Sequence, residues 1–268
     1  MLNNEWIIQA SHLSKKYDGK DALKDVSFSI SPKGIHGILA PKGAGKSVLM
    51  DVLSGCDTAD EGEILFQGSA ELPKEKIGYV PQNPDFYDRM TVLEALDFVG
   101  EVRGVPTDKR YRQMKEAIEL IDLESVQDRL FGRLTKTEKK KVALAAALLG
   151  STELILIDEP LWGESMTVQG ENEKLLRMLG KHKTVLIASE NFSLIRELCE
   201  DVLILSEGSV VAQDTFDALE EKLSRKGNAM SLEAVYASLV ELSRQACMEE
   251  RSEALFADEA QNGKEKDA

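Results

Sequence analysis

Side chains that build specialised sites are scarce in this chain. There are three cysteines, Cys56, Cys199 and Cys247, odd in number and far apart. That argues against a disulfide framework or a thiolate metal site and points to a reducing compartment. The three histidines, His12, His36 and His182, have no ligand spacing. Positive charge is also short: 33 Lys and Arg stand against 47 Asp and Glu, a net charge of -14. Such a surface repels nucleic acid and anionic lipid, so no nucleic-acid partner is expected. No apolar run approaches the roughly 20 residues that cross a bilayer; the longest, Val142 to Leu149, is alanine-rich. The start, MLNNEWIIQ, lacks the basic and apolar stretches of a signal peptide.

What is present is a core. Of 268 residues, 43% are hydrophobic, enough for one large α/β domain or two small lobes. Short apolar runs alternate with helical patterns, which predicts a parallel sheet with crossover helices. The expected strands are Ile7–Ala10, Val26–Ile30, Ile35–Leu39, Glu63–Phe66, Ile77–Val80, Leu154–Ile157, Val185–Ala188 and Val202–Leu205. From about residue 85 to 150 the period becomes helical, with Val92, Leu93, Leu96, Val99, Met114, Ile118 and Ile121, and predicts an inserted helical lobe. Ser231 to Cys247 predicts a further amphipathic helix, with Leu232, Val235, Tyr236, Leu239 and Leu242 on one face. The expected organisation is a main domain over 1–225, this helix over 226–248, and a charged, disordered tail over 249–268.

The richest stretch is Ala40-Pro41-Lys42-Gly43-Ala44-Gly45-Lys46-Ser47. It follows an apolar strand pattern and precedes a helical one, the context a phosphate-binding loop requires. Glycines at 43 and 45 let the backbone approach phosphate oxygens. The following helix N-terminus offers unpaired N–H groups and partial positive charge. Lys46 reaches the β- and γ-phosphates and Ser47 holds Mg²⁺. Lys42, Gly43, Ala44, Gly45, Lys46, Ser47 and Val48 are the expected nucleotide-binding set. Alanine replaces the usual opening glycine; before Pro41, Ala40 is pushed to extended torsions that alanine tolerates.

Downstream, Leu154-Ile-Leu-Ile ends in Asp158-Glu159-Pro160. Asp158 at a strand tip can bind Mg²⁺ directly or through water. Glu159 can orient and polarise an attacking water. With these motifs in this order, from about Ile7 to Gln213, the chain resembles the ATP-binding subunits of ABC transporters. The resemblance implies a RecA-like α/β P-loop core with an N-terminal antiparallel β portion and an inserted helical lobe. It implies ATP and Mg²⁺ as ligands. It places Tyr17 as the aromatic that stacks on adenine, against the plainer reading of a half-buried tyrosine. It places Gln82, in YVPQNP, as the residue that senses Mg²⁺ and the γ-phosphate and couples to a membrane subunit, on which the helical lobe docks.

Three motifs depart from the family pattern. The signature, usually LSGGQ, reads Leu134-Thr135-Lys136-Thr137-Glu138. Thr135 keeps a hydroxyl, but Lys136 and Thr137 replace the glycines that the resemblance brings against a partner's γ-phosphate. Crowding there weakens that contact, unless the Lys136 charge replaces it. After Glu159-Pro160 the D-loop reads Leu161-Trp162-Gly163-Glu164-Ser165, with serine where aspartate is usual. At the switch position, Thr184 to Ser189 is followed by Glu190 in place of histidine. Histidine donates to a γ-phosphate; an ionised glutamate only accepts. Like charges ~4 Å apart repel by about 4 kcal/mol at an effective dielectric near 20. Glu190 is therefore expected to turn away or to hold a proton.

The chain thus keeps its own half of an ATP sandwich and has altered the half it lends. The resemblance then implies slow hydrolysis, an asymmetric or heterodimeric second ATP-binding subunit, and an integral membrane subunit that holds the chain at the cytoplasmic face. Ser231-Leu-Glu-Ala-Val-Tyr236 looks like a motif of the efflux branch and favours export, against the plainer reading of a helix docked on its own domain. The alternatives are a regulatory nucleotide-binding module with little turnover, a P-loop kinase, which leaves Gln82 unexplained, and a DNA-repair ATPase, which the charge opposes.

Overall fold

The computed structural model of the chain describes residues 5–160, 166–225 and 231–241. The expected tail over 249–268, the D-loop from Leu161 to Ser165, and Leu242 to Cys247 lie outside the described residues.

Two sheets form the scaffold. β1 (Ile8–Tyr17), β2 (Lys20–Ile30) and β4 (Glu61–Phe66) make an antiparallel sheet in the order β2-β1-β4. β1 and β2 alternate buried and exposed side chains, as a sheet with one wet face must. The main sheet has the order β5-β6-β7-β3-β8-β9, from β3 (Gly34–Leu39), β5 (Ile77–Val80), β6 (Leu154–Asp158), β7 (Thr184–Ser189), β8 (Asp201–Ser206) and β9 (Ser209–Asp214). All its pairs are parallel except the edge pair β8–β9. Its central strands read as unbroken apolar runs because both faces are covered.

The period of two divides those strands between two cores. Leu154, Leu156, Leu186, Ala188, Leu203 and Leu205 face the three-stranded sheet and α1 (Lys46–Ser54). Ile155, Ile157, Val185, Ile187, Val202 and Ile204 face the other way. That second face is covered by α4 (Lys136–Ala147), α5 (Met166–His182), α6 (Phe192–Leu198), α7 (Phe216–Arg225) and a helix over 232–241, here α8.

A third core lies in the segment expected to be a helical lobe. α2 (Val92–Val102), α3 (Thr107–Ile121) and α4 pack there around Leu96, Ile118, Phe131 and Val142. α2 and α4 each start with a full capping box, Thr91 with Glu94 and Thr135 with Glu138, which satisfies backbone donors that a helix start leaves open.

All eight expected strands are present, several of them longer than expected, and β9 is an addition. The extra length in β1 and β2 carries Lys and Asp on the exposed face, and β9 is a half-exposed antiparallel edge. Neither gives a continuous apolar run.

Candidate nucleotide site

The parallel register of the main sheet sets the site. β3 pairs with β7 to Leu39↔Ser189, β7 with β6 to Ala188↔Asp158, and β6 with β5 to Ile157↔Val80. Four chain segments therefore leave neighbouring strands at one edge: the loop opening at Ala40, then Glu190, then Glu159, then Pro81-Gln82. Ligands of open α/β sheets bind at such carboxyl edges.

The loop is shaped by two glycines in left-handed torsions, Gly43 at φ 84° and Gly45 at φ 94°. A Cβ at Gly45 would sit 2.3 Å from the Ala22 carbonyl, so no other residue fits there. A Cβ at Gly43 would meet nothing within 4 Å. That side of the loop is open, as a phosphate cradle needs. Gly45 caps α1 with no side-chain bond, leaving the first turn of N–H groups for a ligand. Ala44 is buried, Ser47 and Val48 are half-buried and Lys42 is exposed.

The Lys46 ammonium is buried and ion-paired with the Glu159 carboxylate. Glu159 also accepts from the Ser189 hydroxyl at 2.9 Å and from the Glu190 backbone N–H at 3.2 Å. It has a left-handed backbone, φ 50°, uncommon for a side chain that is not Gly, Asn or Asp. Beside it, Asp158 is 1% exposed, and neither carboxylate oxygen has a hydrogen-bond partner of ordinary geometry. Burial pushes its pKa up; the facing Ser47 hydroxyl and Lys46 ammonium oppose that shift without reversing it. Buried carboxylates are ordinarily paired or bound to metal. An orphaned carboxylate facing a hydroxyl fits Mg²⁺, which takes few protein ligands and completes its shell with water and phosphate. Among the described residues no group of three or more His, Cys, Asp or Glu forms a self-sufficient metal site.

Other expected site residues fall in different places. Gln82 is exposed two residues past the end of β5, the strand that pairs with β6. The Glu190 side chain is exposed, while its backbone is held on both sides: its N–H by Glu159 and its carbonyl by the Tyr236 hydroxyl of α8 at 3.0 Å. Tyr17 lies at the end of β1. Its hydroxyl donates to Asp57, and the Lys15 ammonium sits 5.3 Å from its ring centroid. The Tyr17 and Lys15 bonds hold the Asp57 carboxyl down at about 2. Thr135 is the N-cap of α4, and Lys136, Thr137 and Glu138 begin its first turn. Thr135 and Glu138 cap each other, and Arg129 pairs with Glu138 at 3.0 Å. Lys136 and Thr137 are exposed.

Lys140 and Tyr236 also reach the site, and sequence reading gave neither a role there. Lys140 is 7% exposed, and its ammonium donates to the carbonyls of Pro81, Asp158 and Glu159. Burial pulls its pKa down to about 8, against the nearby Asp158 and Glu159 carboxylates. Its signal was hidden in the run Lys139-Lys140-Lys141, where each lysine has apolar residues three and four positions further on.

The family model for ABC transporters matches residues 23–162, more than half of the chain. The chain is 31% identical to the lipopolysaccharide export system ATP-binding protein LptB of Haemophilus influenzae, covering 78% of this chain and 90% of that protein. It is 30% identical to the methionine import ATP-binding protein MetN 2 of Enterococcus faecalis, covering 77% of this chain and 64% of that one. A solved ATP-binding subunit of an ABC transporter superposes with a TM-score of 0.76 at 22% identity, covering 87% of this chain and 99% of its own, which speaks to the fold. With a phosphate loop, an orphaned strand-tip aspartate and a neighbouring glutamate on one sheet edge, and with these relatives, the chain belongs to the ABC transporter family as an ATP-binding subunit.

Proposed function

We propose that this chain binds MgATP along the sheet edge, hydrolyses it slowly and couples that cycle to a separate membrane subunit. The observation that carries this reading is the buried, unpartnered Asp158 carboxylate facing Ser47. Ser47, Asp158 and Gln82 are the residues that would hold Mg²⁺, which screens and polarises the phosphates when bound. The open face at Gly43 and the α1 N-terminus receive the phosphates, and Tyr17 stacks on adenine with the ring face away from Lys15. Lys46 exchanges Glu159 for phosphate oxygens. Glu159, released from the ammonium, takes a proton from the attacking water.

Glu190 supplies no side-chain donor to a γ-phosphate when ionised, and Lys136 and Thr137 crowd the surface lent to a partner. These departures support slow turnover and an asymmetric or heterodimeric second ATP-binding subunit. The membrane subunit docks on the helical lobe, about 85–150 within a domain ending near 225. There Tyr87, Val102 and Tyr111 are about 70% exposed and Phe98 stacks edge-on with Tyr87. Large apolar side chains held out in water are suited to an interface. Export is the direction favoured by the segment from Ser231 to Tyr236, and the chain sits at the cytoplasmic face through its membrane partner.

Calorimetry with MgATP tests the reading: saturable binding that disappears on chelation of Mg²⁺ is expected, and no binding heat would sink it. A second reading, a regulatory module that binds ATP with little turnover, is favoured by the closed Lys46–Glu159 pair. Turnover that stays negligible with the membrane and second ATP-binding subunits present would select it.

A further inference from the structure

We propose that Lys140 is a positioning residue: its ammonium ties together the backbone ends from which Gln82 and Glu159 leave the sheet. The role rests on the nucleotide-site reading above, but its geometry belongs to the chain alone.

An ammonium has three donors and no acceptor. Lys140 donates at 2.8 Å to Pro81, 2.6 Å to Asp158 and 2.9 Å to Glu159, all backbone carbonyls. The β5–β6 ladder stops at Val80↔Ile157. Beyond it, the two strands have no further paired residues, and Lys140 bridges the gap with one charged group. Pro81 is one peptide from Gln82. Asp158 and Glu159 are the two residues whose carboxylates face Ser47 and Lys46.

The tie bears on a strained point. Glu159 holds φ 50°, a conformation that is strained outside glycine and persists only where surroundings enforce it. Its N–H is fixed by the Ala188 carbonyl at 2.8 Å and its own carbonyl by Lys140. With both peptide groups anchored, the side chain is aimed at Lys46 and Ser189. Charge-assisted hydrogen bonds from a buried ammonium are about twice as strong as neutral ones. Lys140 belongs to α4, whose first turn is the altered signature, so the helix that faces a partner subunit is bonded directly to the chain's own strand ends. A purely space-filling lysine would leave its three donors to water; here all three are used in a site almost closed to solvent.

The test is hydrogen exchange of the nucleotide-free, full-length chain, in which ATP binding plays no part. In Lys140→Met, the amides of Gln82, Asn83, Asp158 and Glu159 are expected to exchange at least tenfold faster. The interiors of β6 and β7 keep wild-type protection. Lys140→Arg, which keeps charged donors, is expected to stay within threefold of wild type at both segments. No acceleration in Lys140→Met overturns the proposal. So does acceleration spread evenly over the sheet, which means general core support, and so does an arginine variant as fast as the methionine one. Lys140→Gln, with a shorter polar head, is read by the same criteria if the methionine variant yields no folded protein. Loss of ATP binding by the unaltered chain would overturn the nucleotide reading and leave this result standing.

Discussion

The phosphate loop and the signature segment are both glycine-bearing stretches in ABC ATP-binding subunits, and this chain treats them differently. At the loop, Gly43 and Gly45 stand at φ 84° and 94°, and Gly45 touches the Ala22 carbonyl so closely that a Cβ has no room. At the signature, Lys136 and Thr137 are ordinary α-helical residues in the first turn of α4, behind a complete capping box. Folding demands glycine at the first place and not at the second. Glycine at 136 and 137 would serve only the approach of another molecule. The fold therefore does not require glycine at 136 or 137.

Breaking this contrast at the site itself should give the largest effect. Glu190→His is expected to raise ATP turnover, because the backbone at 190 is already held by Glu159 and Tyr236 and the new ring inherits that position. One preorganised donor is worth about 3 kcal/mol, or roughly 10² in rate. A steady-state assay that finds no change means that the lent signature, not the switch, limits turnover.

Next in size is the intact half. Lys46→Ala is expected to weaken MgATP binding by about tenfold or more, since it removes a charge-assisted contact to phosphate. Calorimetry on both proteins decides this, and equal affinity would remove Lys46 from the binding set.

The altered half can be reversed. In a Glu159→Gln background, which blocks hydrolysis, replacing Lys136 and Thr137 with glycine should turn a largely monomeric chain into an ATP-dependent dimer at micromolar concentration by light scattering. The same change should cost stability, on the order of 1 kcal/mol per helical glycine. A stable ATP-dependent dimer without the glycines would instead assign the contact to the Lys136 charge.

Tyr236→Phe is a smaller probe. It removes one hydrogen bond to the Glu190 carbonyl and keeps the ring stacked on Phe192. About 1 kcal/mol of stability is expected to go, with a modest change in turnover. A thermal melt and the same assay check it, and an unchanged pair of values frees the switch segment from α8.

The smallest effect lies in the scaffold common to both halves. His36 is buried, and both ring nitrogens meet acceptors: Asp201 at 2.9 Å and the Lys33 carbonyl at 2.8 Å. Only the imidazolium satisfies both. Burial pulls its pKa down, but the bond and charge of Asp201 overcome this and leave it raised. Its contribution is complete below the unfolded value near 6.5 and is lost as pH rises through the higher folded value. The melting midpoint should fall on going from pH 6 to pH 9, and Asp201→Asn should flatten that fall. An identical pH dependence in the variant would contradict the assignment.

How far the sequence could be read follows from where each signal lies. Strands with both faces covered announced themselves, because Leu154 to Ile157 and Val185 to Ala188 must be apolar throughout. β9 did not, because Ser209–Asp214 is a half-exposed antiparallel edge with polar ends. The phosphate loop was legible because glycine, lysine and serine act there within eight consecutive residues. Lys140 was not, because a charge run ordinarily marks a wet helix face, and only packing shows which of three adjacent lysines turns inward.

By itself the sequence determined the parallel sheet, the phosphate loop and the carboxylate pair that follows β6, since each is written in local periodicity or contiguous residue types. Tertiary structure alone decided that Lys46 pairs with Glu159, that the Asp158 carboxylate is buried without a hydrogen bond of ordinary geometry, that Lys140 binds three carbonyls and that Tyr236 reaches Glu190. These contacts join residues far apart in the chain, and their partners are mostly backbone groups, which are the same in every sequence. Strand order and register bring them together, and those are properties of the packed sheet rather than of any one segment.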